Sequence, residues 1–191
     1  MGHPYYYLVA SLPTLEFEGK APMSVESFLE DCRRLLAQDD FSLMQDLLVK
    51  GVGEAETDHP FLKSLVEFET RLRNEAAWFR SSRLHKDPSL YIRGTRSFEP
   101  SLTEVIHQAS KSLNPLETQR QLDRCVWLFW DEALTGHYYD IEVLFIYGLK
   151  LKMLERYQAY ASADKGREIF EKLKAVELPE SCALHPGGKV S

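Results

Sequence analysis

Residues 138–157 read YYDIEVLFIYGLKLKMLERY, a run in which apolar residues fall on nearly every side of a helix. A helix that is apolar all round is either buried in a protein or crosses a membrane. Glu142, Lys150 and Lys152 argue against crossing, because a membrane span needs about 20 predominantly apolar residues. The segment therefore predicts a central helix covered by other helices, and Gly148 would let a neighbour approach its backbone closely.

The remainder of the chain also predicts helices, since apolar residues recur at helical spacing and no segment alternates over several strands. The predicted N-caps are Ser24, Asp39 or Asp40, and Ser101, which has capping-box spacing with Glu104. The longest of these helices opens near Pro60 and runs to about Leu84, and the last occupies 164–174. We expect an all-α bundle of about six to seven helices. The run at 5–12 is too short to decide between an extended segment and a helix.

Prolines and a glycine between 88 and 100 mark the predicted boundary within this bundle. We expect an N-terminal helical half at 1–98 and a C-terminal helical half at 99–180, packed together as one compact unit. The final residues, 181–191, contain glycine and proline and are expected to form a flexible tail.

Composition narrows the class of protein. The chain has 191 residues and a net charge of −6 at pH 7, whereas a free-standing nucleic-acid binder is usually basic. Cys32, Cys125 and Cys182 are too widely spaced for a disulfide framework or a zinc motif, which favours a reduced cytosolic protein with buried thiols. The N-terminus lacks the basic region of a signal peptide, so we expect a cytoplasmic protein without bilayer insertion.

No pattern in the sequence indicates an active site. The six histidines stand at 3, 59, 85, 107, 137 and 185 and form no pair typical of a metal site. Asp131 and Glu132 are adjacent, so on a helix their side chains diverge by about 100°. Cys125 is followed by apolar residues, and burial makes a thiol unreactive. We therefore expect no catalytic residue, no metal site and no cofactor.

Charge is distributed unevenly along the chain. Segment 71–96 carries seven basic residues against two acidic ones, with aromatic residues between them. A solvated helix face is the plain interpretation of such a run. Among functional interpretations, an acidic protein partner is favoured over RNA, because the acidic remainder of the chain would repel a long polyanion.

Two motifs of the chain are distinctive, YYYLVASLP at 5–13 and YYDIEVLFIYGLKLKMLER at 138–156. Together they resemble an uncharacterised bacterial family, domain of unknown function 2764, whose genes lie among those for V/A-type rotary ATPases. The second also resembles the helices of the C/d subunit of these ATPases, an all-helical funnel that joins the rotating shaft to the membrane ring. The motif positions are Tyr6, Tyr7, Leu12, Pro13, Asp140, Tyr147, Lys150 and Arg156. The family offers no catalytic residues.

The resemblance implies a non-enzymatic connector or assembly subunit of a bacterial V/A-type ATPase, cytoplasmic and peripheral to the inner membrane. Its partners would be other ATPase subunits of the shaft or the membrane ring. The alternative is a free-standing helical regulatory module that binds RNA or an acidic protein through 71–96. Aromatic residues with a polar group are common interface anchors, and at least one of Trp127 and Trp130 is expected to be partly exposed. The candidate interface residues are Tyr6, Tyr7, Trp78, Arg80, Arg83, Arg93, Trp127, Trp130, Tyr138, Tyr139, Lys150 and Arg156.

Overall fold

The structure, a computed structural model, describes residues 5–54, 58–95, 97–161 and 166. Across these ranges the chain forms seven α-helices and no β-strand, which confirms the predicted all-α bundle. The helices are α1 (Tyr6–Ser11), α2 (Val25–Leu35), α3 (Gln38–Lys50), α4 (Pro60–Arg83), α5 (Pro100–Ala109), α6 (Pro115–Ala133) and α7 (Ile141–Ala161). Apart from the helical Gly166, the last predicted helix at 164–174 and the tail at 181–191 lie outside the described residues.

The helix α7 is the central helix that the sequence predicted. Its buried residues are Ile141, Leu144, Phe145, Ile146, Gly148, Leu149, Lys150, Leu151, Met153 and Leu154. Helices α2 and α3 pack against it. At Gly148 the contact is close, because a Cβ atom there would lie 3.0 Å from Phe28 Cε1 and 3.1 Å from both methyl carbons of Leu48. None of the helices in the described ranges is both long enough and apolar enough to span a membrane.

The packed interior comprises two cores. The larger surrounds α7 and receives side chains from α1, α2, α3, α4 and α6. The smaller lies between α4, α5 and α6, where the rings of Phe68 and Phe129 stack with centroids 3.7 Å apart. Both α4 and α6 therefore contribute to both cores. The division of the chain into halves at 98/99 stays a prediction.

The N-terminal segment forms the helix α1. The sequence had left both a helix and an extended segment open at 5–12. Tyr5 fixes it to two other parts of the molecule. Its backbone N–H donates to the carbonyl of Tyr139 at 2.6 Å. Its hydroxyl accepts from the N–H of Ala37 at 3.2 Å and donates to the carboxylate of Asp40. Tyr5 thus joins α1 to the start of α3 and to the turn before α7.

One predicted N-cap is confirmed and two are wrong. The Ser24 hydroxyl accepts from the N–H of Ser27, as expected for the start of α2. Helix α5 begins at Pro100 with Glu99 at the N-cap, and not at Ser101. Proline is favoured at the first helical position, where a backbone N–H would have no intrahelical partner.

Helix α3, like α5, begins before the residues that were predicted to cap it. The N-cap is Ala37, so Asp39 and Asp40 stand in the first turn and neither is the cap. Carboxylates are stabilised there by the partial positive charge of the helix N-terminus. The glycines at 51 and 53 predict the end of this helix. The structure confirms it, since Gly51 adopts a positive φ of 87° directly after Lys50.

Candidate interaction surfaces

Four exposed tyrosines from two distant parts of the sequence form one surface, in which ring contacts join three of them and Tyr138 adjoins Tyr139 in the chain. We call this the tyrosine surface, and it consists of Tyr6, Tyr7, Tyr138 and Tyr139. Tyr7 is 85% exposed and Tyr138 is 73% exposed. The ring of Tyr6 lies 5.7 Å from that of Tyr7 and 4.7 Å from that of Tyr139, measured between centroids. The structure therefore brings together four of the candidate interface residues.

The backbone under these tyrosines is held firmly. Leu8 is buried and anchors α1 in the larger core. The hydrogen bond from Tyr5 to Tyr139 clamps α1 onto the turn between α6 and α7. Gly136 enters this turn with a φ of 94°, a conformation that glycine adopts without steric cost. The aromatic rings are thus presented on a preorganised scaffold, which lowers the entropy lost on binding.

A second surface, the basic surface, lies at the C-terminal end of α4 and in the loop that follows. Its exposed members are Arg80, Arg83, Lys86 and Arg93. The Arg83 guanidinium stands 5.8 Å from the centre of the Phe79 ring. Exposed apolar side chains occur on the same segment, namely Leu84, Leu90, Tyr91 and Phe98. Trp78 is half-buried, and Arg96 lies outside the described residues.

The loop of the basic surface is fixed by a buried amide. Asn74, only 5% exposed, donates from its side chain to the carbonyl of Arg93 at 2.8 Å and accepts from the N–H of Arg93 at 2.9 Å. Two other basic residues of the segment are paired. Arg71 lies 3.6 Å from Glu99, and Arg73 donates to Glu69 at 2.8 Å. Arg71 and Arg73 are thus engaged by carboxylates of the protein, and the other basic residues of the described segment all follow residue 79.

Arg80 also lines a groove of about 700 Å³ between the end of α3 and helices α4, α6 and α7. Its basic lining residues are Lys50, Arg73, Arg80, Lys152 and Arg156, and its acidic ones are Glu69 and Asp123. The lining therefore carries excess positive charge on a chain whose net charge is −6.

The expected exposure of Trp127 or Trp130 is wrong. The two residues are 5% and 4% exposed, and both belong to the larger core. The face of α6 that carries them points towards α7, and the ring of Phe17 packs edge-on against Trp127 at 5.5 Å. Leu128 lies instead on the exposed side of this helix and is 59% exposed. Neither tryptophan is accessible to a partner in this structure.

Lys150 is likewise an internal residue and not a surface contact. It is 8% exposed, its Nζ lies 2.5 Å from Asp131 Oδ1, and the same atom stands 4.5 Å from the centre of the Trp127 ring. The apolar stem of the lysine packs in the core while its charge reaches a carboxylate at the surface. Lys150 therefore holds α7 against α6.

Arg156 joins the same two helices about two turns further along. Its guanidinium donates to Asp123 at 2.5 Å, and the carboxylate of Asp123 also accepts from Tyr157 at 2.6 Å and from Gln119 at 2.9 Å. Burial, followed by the hydrogen bond to Asp123, raises the pKa of Tyr157. Sequence reasoning missed Asp123. The feature of the sequence that could have revealed it is its position four residues before Trp127, which places the carboxylate on the same helix face as that apolar ring.

The prediction of a buried thiol is confirmed for Cys32. This residue is fully buried, and burial together with the charge of Asp31 raises its pKa to about 12. Cys125 is half-buried, and burial followed by the charge of Glu99 raises its pKa too. Both thiols therefore favour the neutral form, which is a poor nucleophile. Cys182 lies outside the described residues.

Within the described residues, one group of side chains has the spacing to hold a metal ion, and the sequence interpretation missed it. The group is His137, Asp140 and Glu142, whose ligand atoms all lie within 4.8 Å of one another. They stand in the turn before α7 and in its first helical turn. The signal in the sequence was their spacing of three and two residues, directly before an apolar helix.

Comparison with known proteins shows the family of this chain. No curated protein matches it, and no solved structure does. The model of a family described as "Protein of unknown function (DUF2764)" matches residues 53–176, which is more than half of the chain. The motif at 138–156 falls inside this range, and the motif at 5–13 precedes it. The chain therefore belongs to the DUF2764 family of proteins of unknown function.

Proposed function

We propose that this protein is a non-enzymatic connector or assembly subunit of a bacterial V/A-type rotary ATPase, cytoplasmic and peripheral to the inner membrane. In this role it binds other ATPase subunits through the tyrosine surface. The observation that carries the proposal is that surface, where four tyrosines stand exposed on a fixed backbone. The resemblance of the two motifs to a family encoded among V/A-type ATPase genes supports the choice of partner.

The chemistry of the tyrosine surface suits a protein interface. A tyrosine ring offers large contact area for only two rotatable bonds, and its hydroxyl can hydrogen-bond at the rim of the contact. Tyrosine is enriched among the residues that carry most of the binding energy in interfaces. An exposed aromatic cluster of this kind is typical of an interaction site.

The bundle also separates two surfaces by a rigid element, as a connector requires. The ring of Phe61, at the start of α4, lies 5.3 Å from the ring of His137, beside the tyrosine surface. The other end of this helix carries Arg80 and Arg83 of the basic surface. A helix of 24 residues is about 36 Å long. Partners at the two surfaces would therefore be held well apart.

Affinity purification from native membranes tests the proposal. The tagged full chain is expressed in its source organism, and the membranes are solubilised at low salt. We expect ATPase subunits to co-purify with the wild type and to be lost with Tyr7→Ser/Tyr138→Ser. Tyr160→Ser is the matched control, because Tyr160 is 58% exposed elsewhere on the molecule. Absence of ATPase subunits from the wild-type sample would refute the proposed partner, and equal recovery with the double variant would refute the proposed surface.

The basic surface favours a second candidate function, a free-standing regulatory module that binds an acidic protein or RNA. The specific observation is the exposure of Arg80, Arg83, Lys86 and Arg93 beside exposed apolar side chains. Binding to a generic single-stranded RNA is measured over a range of salt concentrations. A steep loss of affinity with salt supports contacts to phosphates, because each contact releases counterions. RNA binding that is unchanged in Arg80→Ala/Arg83→Ala excludes this surface as the RNA site.

A further inference from the structure

We propose that His137, Asp140 and Glu142 form a binding site for a divalent transition-metal ion, with Zn²⁺ the best fit, and that His59 orients one of its ligands. The proposal is independent of the ATPase connector role. It rests on the convergence of these side chains from α4, from the turn after α6 and from the start of α7.

The distances within the group suit a small ion. His137 Nδ1 lies 2.7 Å from Asp140 Oδ2 and 3.8 Å from Glu142 Oε2. Ligands at about 2.0–2.2 Å from a tetrahedral Zn²⁺ stand about 3.4 Å from one another. The two distances from His137 fall on either side of this value, and all three ligand atoms lie within 4.8 Å of one another, so modest side-chain shifts would place them around one ion.

His59 approaches the group from a different helix. It is the N-cap residue of α4, and its Nε2 lies 3.7 Å from Oε1 of Glu142, the carboxylate oxygen that is not directed at His137. Its ring packs edge-on against the buried ring of Phe145. Closing this separation to a hydrogen bond of about 2.9 Å would let His59 fix the orientation of the carboxylate and contribute to metal affinity.

The second oxygen of Asp140 supplies a further observation. Asp140 Oδ1 is shielded from solvent and has no hydrogen-bond partner among the described residues. A buried acceptor left unsatisfied is costly, and a native structure seldom tolerates one without a compensating group. An ion that the Asp140 carboxylate bound through both of its oxygens, and not through Oδ2 alone, would satisfy this oxygen.

The ligand set decides the class of ion. Mg²⁺ and Ca²⁺ prefer oxygen ligands alone, whereas an imidazole nitrogen beside carboxylates suits Zn²⁺ and its neighbours in the first transition series. The bound ion would join the turn that carries Tyr138 and Tyr139 to the start of α7. Because a ligand that binds only the folded state stabilises it, the ion would also raise the melting temperature.

The cluster has an alternative interpretation as an ion pair that caps α7. Carboxylates at a helix N-terminus are stabilised by the helix dipole, and a protonated His137 would pair with them without any metal. The two interpretations differ in how the purified protein responds to Zn²⁺.

The test titrates Zn²⁺ into the full chain after treatment with a chelator, by calorimetry and by thermal unfolding. We expect saturable binding and a raised melting temperature for the wild type. Glu142→Gln and His137→Ala should each weaken binding by more than about 100-fold, since even residues that only orient ligands contribute about 10–100-fold. His59→Ala should fall in that smaller range. His107→Ala, at an exposed histidine distant from the group in sequence, should bind as the wild type does.

Three results would overturn the proposal. The first is a wild-type chain that shows no saturable Zn²⁺ binding, which would leave the ion pair as the role of the cluster. The second is wild-type affinity in both Glu142→Gln and His137→Ala, which would place any bound ion elsewhere. The third is displacement of Zn²⁺ by an equal concentration of Mg²⁺. Glu142→Gln preserves the size of the side chain, so it keeps the test decisive if His137→Ala fails to fold.

Discussion

Replacing Gly148 by alanine tests the close packing around α7 directly. The added Cβ would lie 3.0 Å from Phe28 Cε1 and 3.1 Å from the methyl carbons of Leu48. Carbon atoms in contact prefer a separation of about 3.5–4.0 Å, so both neighbours would have to move by about 0.5 Å. Phe28 and Leu48 are 0% and 3% exposed, which leaves them little room to do so.

Two opposing effects set the change that Gly148→Ala makes in the free energy of unfolding. Alanine is better than glycine in a helix by about 1 kcal/mol. Overpacking a close-packed core costs about 1–3 kcal/mol. We therefore expect Gly148→Ala to lower the free energy of unfolding by about 1 kcal/mol, which corresponds to a fall of about 2–4 °C in melting temperature for a chain of this size. Urea unfolding, with the slope of the transition checked for constancy, measures this change.

Two further variants separate packing from helix propensity. A Cβ atom at Gly166 would meet nothing within 4 Å, so Gly166→Ala should leave stability unchanged or raise it. In a Leu48→Ala background the contact with Leu48 is removed and only that with Phe28 remains, so adding Gly148→Ala should cost less than it does in the wild type. If Gly148→Ala in the otherwise wild-type chain raises the free energy of unfolding by about 1 kcal/mol, α7 is not packed as described.

Three other predictions concern buried polar groups. Asp123→Ala removes the acceptor of three hydrogen bonds between and within α6 and α7, so it should lower the free energy of unfolding by about 3 kcal/mol in urea titrations. A loss no larger than that of Asp131→Ala, at a half-exposed carboxylate, would contradict this role. Lys150→Met keeps the packed stem and should cost about 1 kcal/mol or less, whereas Lys150→Ala should cost about 2–3 kcal/mol in the same assay. Equal losses for the two variants would show that the charge, and not the stem, dominates. Cys32 should make stability fall with alkaline pH, because its pKa rises from 9.0 to about 12 on folding. Its contribution is complete below about pH 9, decreases as the unfolded thiol ionises, and should be smaller by about 1.4 kcal/mol at about pH 10. The stability difference between wild type and Cys32→Ala, measured in urea at about pH 8 and about pH 10, would stay constant if this reasoning is wrong.

The fold could be predicted to a large extent because its strongest signals are local. A helix that is apolar on every side has to be covered, and 138–157 displays this property in its residue order alone. Proline at the first helical position and glycine after the last are also local signals, and they place the start of α4 and the end of α3 correctly. The N-caps of α3 and α5 were misplaced because Ala37 and Glu99, which occupy them, make no side-chain capping hydrogen bond, so the residue preferences for N-caps do not point to them.

The surfaces were harder to predict because they depend on which helix face meets a neighbour. The spacing of Trp127 and Trp130 shows that they share a face, but not that this face turns towards α7. Lys150 likewise appears as a charge within an apolar run, and only the position of Asp131 explains it. The tyrosine surface combines residues of α1 with residues of the turn before α7, which are more than 130 positions apart in the sequence, so only the three-dimensional arrangement brings them together.

The sharing of α4 and α6 between the two cores has a consequence for attempts to dissect the molecule. A fragment made by cutting the chain near residue 98 would strip α5 and α6 of Phe68 and Leu72, their apolar neighbours on α4. Neither piece would retain a complete interior, so we expect both fragments to aggregate alone and to reassemble when mixed. Hydrogen exchange should accordingly find the amides of α4 and α7 opening in the same event, as members of one cooperative folding unit.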